Sequence, residues 1–205
     1  DDAPDNNKGG SGKLGGWDGG DSNSDGKGPG KGKDRTLNNF GGGGGYGGSG
    51  ESNHQESHGL TYGEYTISEL LGGSGGGGGS NRSGGAGGGA IELMAHGNGA
   101  VTITTGAKIS ANGGDTTTSG NDGGGGSGGS IRLEGGSIVN NGALEAKGVV
   151  PVANYVGGGG RIAFVTNGDV TVGNIDLSGA FQGSFVVVGE TPGLPADLNY
   201  TSGTL

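Results

Sequence analysis

The chain has 205 residues, 60 of them glycine, with 27% hydrophobic residues, no cysteine and a formal charge of −9. Glycine at this level is far above the globular average of roughly 7%, and so few apolar side chains exclude a broad core, leaving room for one that is one or two side chains thick. The acidic balance argues against a nucleic-acid partner, which needs a basic surface, and the absence of any apolar run of about 18 residues argues against a membrane span.

Collagen needs glycine at every third position and abundant proline. Here glycine comes in runs, such as 41–45, 75–79 and 157–160, with only five prolines, so collagen is rejected. Disorder is the rival reading, because glycine-rich polar tracts bury little and lose much entropy on ordering. The apolar residues oppose it by alternating with polar ones from Ile91 onward. The lack of cysteine leaves the redox compartment open. The chain opens on Asp1 with neither initiator methionine nor signal peptide, which reads as a processed product or a piece of a longer chain.

Residues 1–50 are Gly, Asp, Asn, Lys and Ser, punctuated by Leu14, Trp17, Leu37, Phe40 and Tyr46. Isolated large residues in a glycine matrix predict an extended segment that docks on the rest of the chain or on a neighbouring subunit. Residues 62–71 predict a strand followed by a turn, or a short helix from Ser68, stopped by Gly72-Gly73 in either case.

From residue 90 the pattern becomes regular. Gly88-Gly89-Ala90-Ile91-Glu92-Leu93, Gly128-Gly129-Ser130-Ile131-Arg132-Leu133 and Gly159-Gly160-Arg161-Ile162-Ala163-Phe164 repeat one motif. A second element recurs after each, around Ile109, Leu144 and Ile175, the last followed by Leu177. Between them lie Val101 with Ile103, then Ile138, then Val170 with Val172, and 185–188 reads as a partial last course. Period-two alternation over four to six residues predicts half-buried strands, and a strand-sized unit that recurs predicts stacked courses of one backbone path. Ile91 to Ile131 spans 40 residues and Ile131 to Ile162 spans 31. The excess is expected in a loop over 113–126.

The predicted fold is all-β: a short-strand parallel β-solenoid, β-helix-like, flanked by extended polyglycine strands. Residues 1–50 form the docking segment and 51–205 the solenoid module. Its structural core is Ile91, Leu93, Ile109, Ile131, Leu133, Leu144, Ile162, Phe164, Ile175 and Leu177, stacked in inward columns. Glycine, lacking Cβ, can run as threefold polyproline-II strands that approach closely and satisfy one another's backbone.

The run Leu70-Leu71-Gly72-Gly73-Ser74 with Gly75 to Gly79, then Gly87 to Ile91, Gly125 to Ile131 and Gly157 to Ala163, resembles a glycine-rich module of very large secreted or surface proteins of environmental bacteria. The likeness covers roughly residues 41–188 and rests most on motif order. It implies an extracellular β-solenoid with an adhesive or scaffolding role, and brings no catalytic residues. The chain is also similar to the glycine-rich ectodomain of anaplastic lymphoma kinase receptors. The cysteines of that domain are absent here, so this likeness serves only as precedent for ordered glycine.

Chemical constellations are few. His54 and His58 lie four apart near Glu51 and Glu56, but the segment has no helical pattern to put them on one face for a metal, and a solvated loop is the preferred reading. Asp18, Asp21 and Asp25 offer oxygen at short spacing for Ca²⁺, yet no EF-hand or nonapeptide order accompanies them, and solvated turns are preferred. Asn81 and Asn199 fit the N-glycosylation pattern. No nucleophile elbow or triad order is present, so catalytic residues and cofactors are both expected to be none. The leading expectation is a non-enzymatic extracellular or cell-surface structural protein, a homo-oligomer polymerising into a filament, fibre or matrix. The alternative is an adhesin or glycan-binding module, whose candidate aromatics Trp17, Tyr46, Tyr62, Tyr65 and Tyr155 are scattered in sequence. Ice binding through threonines such as Thr102 and Thr104 ranks third.

Overall fold

Alternating apolar residues force each strand to face one side inward, and successive laps then bury that side against one another. The computed structural model describes residues 8–34, 40–52, 57–116, 123–149 and 155–189. The first lap supplies β1 (Ala90–Met94), β2 (Ala100–Ile103) and β3 (Lys108–Ser110). The second supplies β4 (Ser130–Glu134), β5 (Ser137–Asn140) and β6 (Ala143–Glu145), the third β7 (Arg161–Val165), β8 (Val170–Thr171) and β9 (Asn174–Asp176). A fourth lap opens with β10 (Ser184–Val188). Three parallel sheets result, ordered β1-β4-β7-β10, β2-β5-β8 and β3-β6-β9. The described residues contain no helix.

The register realises the predicted columns. Ile91, Ile131, Ile162 and Phe185 pair in succession, as do Ile109, Leu144 and Ile175. Ile131, Leu133, Ile138, Leu144, Ile162 and Phe164 are sealed from solvent, each contributing roughly 1.5–3 kcal/mol of burial. Phe164 and Phe185 meet edge to face with centroids 5.0 Å apart. Leu177 is buried, while Ile91, Ile109 and Ile175 are partly buried and pack against the core. Leu93 departs from expectation: it is 38% exposed. Its lap is the first, so Leu133 covers it on one side and nothing described covers the other.

Glycine builds the second half of the fold, and its hydrogen bonds reveal its geometry. Along 72–79, the amides of Gly73, Gly76 and Gly79 donate to the carbonyls of Gly88, Gly85 and Arg82. Those of Gly75 and Gly78 donate to Lys27 and Ser24, and that of Gly77 donates to Gly42. The carbonyls of Gly73, Gly76 and Gly79 accept from Trp17, Gly20 and Asn23, those of Ser74 and Gly77 from Ser127 and Gly124, and that of Gly75 from Gly32. Partners recur every third residue, the symmetry of a polyproline-II backbone. One glycine strand is thus surrounded by six neighbouring segments. The packing has no room for side chains: a Cβ on Gly76 would stand 2.1 Å from the Gly124 carbonyl oxygen.

The bundle is continuous with the solenoid. β1, β4 and β7 are each entered from a glycine strand, and those strands stack in the same parallel sense: Gly85 and Gly88 donate to Gly124 and Ser127, and Gly125 and Gly128 donate to Tyr155 and Gly158. The described ends of the expected loop, 113–116 and 123–126, are therefore part of the bundle. Gly113 donates to Lys147 and Gly114 to Ala86, while Gly126 returns to Gly114 and Gly129 to Ala111. The next laps make the same excursion in fewer residues, closed by Gly160 on Ala146 and by Gly183 on Leu177. Lap length shrinks partly in these hairpins and partly before them: Ile109 to Ile131 spans 22 residues where Leu144 to Ile162 spans 18, and Ile91 to Ile109 spans 18 where Ile131 to Leu144 spans 13, so only part of the excess lies in the expected loop.

Segments 8–34 and 40–52 complete the bundle. Gly10 donates to Gly84, Trp17 to Gly73, Gly44 to Gly125, Gly48 to Gly159 and Glu51 to Val156. The stretch 62–71 forms neither the predicted strand nor a helix. Gly63 and Ile67 take left-handed φ values of 69° and 51°, which fold it into bends. Ile67 is thereby driven onto the outer face of the first sheet, against Ala163 and Val186.

Candidate functional site

The acidic residues proposed for Ca²⁺ do not converge. Asp18 Oδ1 accepts from the Gly12 amide at 2.7 Å, Asp21 Oδ1 from Gly9 at 2.9 Å, and Asp25 Oδ1 from Asp34 at 3.0 Å, with Lys31 Nζ 2.9 Å from the other Asp25 oxygen. Each carboxylate accepts a different backbone amide, two of them from glycine. Among the described residues no group of three or more His, Asp or Glu is placed to hold a metal. His58 is half-buried; His54 and Asn199 lie outside the described residues. Asn81 is exposed in the turn closed by Gly79 and Arg82, but Ser83 of its sequon is fully buried. A polar cleft of about 360 Å³ crosses the lap corners beside Met94, His96, Glu134 and Asn167. Glu134 there is already paired with Arg132.

The aromatic residues that looked scattered do come together. Tyr46 and Tyr62 pack with centroids 4.8 Å apart. The Arg161 guanidinium lies over the Tyr46 ring at 5.3 Å and over the Tyr65 ring at 4.8 Å. Arg161 is 3% exposed and has no carboxylate partner among the described residues. It donates through Nη1 to Ser184 Oγ at 3.0 Å and through Nη2 to the carbonyls of Tyr62 at 2.8 Å and Gly63 at 3.3 Å. Burial works to lower the Arg161 pKa and to raise those of Tyr46 and Tyr62, so the tyrosines stay neutral and the arginine charged.

At the other end of this row stands Trp17. Gly28, at φ 97°, makes room for it: a Cβ there would meet Trp17 Cγ at 2.7 Å and Ser74 Oγ at 2.6 Å. Ser74 Oγ accepts from the Gly30 amide at 3.0 Å and donates to the Tyr62 hydroxyl at 3.0 Å, which in turn donates to the Gly72 carbonyl. Tyr62, Tyr46, Arg161 and Tyr65 thus form one connected row, and Trp17 stands beside its Ser74 end, across the space at Gly28. The two extremes are solvent-facing, with Trp17 43% and Tyr65 59% exposed. Tyr155 lies apart, buried against Phe40 with centroids 5.3 Å apart. Sequence reasoning named the tyrosines and the tryptophan but missed Arg161 and Ser74. The single signal for Arg161 was a charge at the lap position held elsewhere by Ala90 and Ser130.

The second distinctive surface is the edge of the first lap. β1, β2 and β3 each pair with one strand among the described residues, and Leu93 and Met94 are exposed there. The glycine tract before β1 is covered on this side, by the bond from the Ala90 amide to the Leu14 carbonyl. No helix of the described residues is long and apolar enough to cross a membrane. Comparison of the chain with protein-family models, with curated proteins and with solved structures finds no match.

Proposed function

We propose that this is a non-enzymatic structural protein of an extracellular filament or surface matrix, whose copies add end to end. The observation that carries this reading is the open first lap. Among the described residues the three strands there pair with a strand on one side only, a template for another chain, and the apolar columns end in the partly exposed Ile91, Leu93 and Ile109. The far end of the coil carries the same chemistry in the same places. Laid in lap register, Val101 of one copy would follow Val170 of the next, Ile109 would follow Ile175, and Ile91 would follow Phe185. A head-to-tail contact of this kind does not close and yields fibres. The acidic surface and the resemblance to secreted bacterial modules support a location outside the cell.

Electron microscopy and sedimentation of the purified chain over a concentration series test this. The expected result is concentration-dependent filaments. Parallel strands are about 4.8 Å apart, so three laps and a fourth partial one give an axial rise of roughly 15–20 Å per copy. The double variant Leu93→Lys with Met94→Lys should fold normally by circular dichroism yet remain monomeric. A wild-type chain that is monomeric at every concentration overturns the proposal.

A further inference from the structure

We infer that the row ending in Trp17 and Tyr65 is a stacking platform for a neutral, β-linked polysaccharide chain. This goes beyond the assembly reading and does not depend on it. A pyranose ring presents one flat C–H face and a hydroxyl edge, and it is matched by an aromatic face with polar groups beside it. Both requirements are met here. Tyr65 rests on the Arg161 guanidinium at 4.8 Å and is 59% exposed, so protein supports one side of the ring while the ring remains open to solvent. Trp17 is seated where Gly28 leaves space and is 43% exposed. Thr61 and Thr66 are exposed near Tyr65 in sequence and supply hydroxyls, while the Ser68 hydroxyl donates to Glu64.

The rings are held before any ligand arrives. Arg161 is fixed by four acceptors, the Ser74 hydroxyl holds Tyr62, and Trp17 packs into the space that Gly28 leaves beside Ser74. Rigid aromatic anchors lose little rotamer freedom on binding, which is the main saving in preorganised recognition. Two exposed rings at the ends of one row suit a polymer spanning several sugar units better than a single sugar, and separate contacts along one chain add through effective concentration. Charge selects among polymers. Glu64 and Glu69 flank Tyr65 in sequence and are exposed, and the chain carries −9 overall, so an acidic polysaccharide is repelled.

Trp17 is the only tryptophan in the chain, so its fluorescence reports on this site alone. The experiment titrates the full chain with cellohexaose and chitohexaose, measures retention on insoluble cellulose and chitin, and uses polygalacturonate as the acidic control. The expected result is a saturable shift in Trp17 emission with at least one neutral oligosaccharide and none with polygalacturonate. Tyr65→Ala should weaken binding about tenfold, the size of one lost aromatic contact. Trp17→Ala, read by retention, should do the same. Phe181→Ala, an equally exposed aromatic outside the row, should change nothing. No emission change and no retention by the wild-type chain overturns the inference, as does equal binding of polygalacturonate or full binding by Tyr65→Ala. A chain that forms filaments but fails these tests loses the platform and keeps the assembly reading.

Discussion

The Cα of Gly126 lies so close to Ala86 that a Cβ on it would stand 1.8 Å from the Ala86 carbonyl oxygen. That oxygen already accepts the Gly114 amide at 2.7 Å, so it cannot withdraw without breaking the bundle. A glycine C–H directed at a carbonyl is a weak favourable contact; a methyl there is a collision with backbone. Gly126→Ala should therefore cost at least ~3 kcal/mol, at the upper end of overpacking effects. Gly106 is the control. It has φ 83° with nothing within 4 Å of an added Cβ, so Gly106→Ala meets only left-handed strain, about 1–2 kcal/mol. Urea unfolding of the two variants should give that order, and equal midpoints would refute the close-packed bundle.

The columns should be least tolerant at their centre. Leu144 lies between Ile109 and Ile175 and is fully buried. Leu144→Ala should cost about 2–5 kcal/mol. Ile131→Asp, which buries an unpaired charge between Ile91 and Ile162, should abolish folding. Leu93→Ala at the open edge should cost under about 1 kcal/mol in the monomer. Glycine strands gain only about 0.5–1.5 kcal/mol net per hydrogen bond against ordering costs of about 1–2 kcal/mol per residue. The bundle thus depends on the columns, and Leu144→Ala should lower a single transition seen by both circular dichroism and Trp17 fluorescence. Two separate transitions would mean that the bundle stands alone.

Acid should weaken the third sheet first. Glu145 lies 3.3 Å from Lys108 and 3.6 Å from Lys147, and Lys147 is also 3.6 Å from Asp176. Burial acts to raise the Glu145 carboxyl, but the Asn112 amide and Lys108 outweigh it and hold the pKa below the ordinary value. Asp176 is lowered in the same way, with burial opposed by Ser178 and Lys147. Folded pKa values below the unfolded ones mean that the unfolded chain takes up protons first as pH falls. Their contribution is complete above about pH 6 and is lost progressively from about pH 5 downward. The urea midpoint should be flat from pH 6 to 8 and fall below 5. Glu145→Gln should be less stable than wild type at pH 7, and the gap should close by pH 3.

The columns were legible because strand alternation is local and the lap motif repeats within a few dozen residues. Ile91, Ile131 and Ile162 announce their register by sequence alone. Leu93 was misplaced because the pattern says which side faces inward and not which lap lies at the edge of the stack. The glycine strands were reached by elimination; nothing in a run such as 75–79 tells which of six neighbours each amide will meet. The aromatic row was invisible because Arg161 reaches Tyr46 and Tyr62 across separations of 115 and 99 residues. The 62–71 segment misled through its β-forming Tyr, Thr and Ile. Tertiary burial of Ile67 in a left-handed conformation overrode that propensity.

Arg161 supplies the sharpest test of that long-range chemistry. It is a buried cation held by neutral acceptors and rings, and its Nε finds no acceptor among the described residues. Lysine would keep the desolvated charge but lose the planar fork that reaches Ser184 and the Tyr62 and Gly63 carbonyls together. Each acceptor left buried and unpaired costs about 1–3 kcal/mol. Methionine would also orphan those acceptors, but it removes the cost of burying a charge, which is itself several kcal/mol. Arg161→Lys should therefore be the more destabilising of the two, against the usual ranking of conservative changes. Thermal melts of both variants decide it: a lysine variant more stable than the methionine variant would show that the charge, and not the fork, holds the row together.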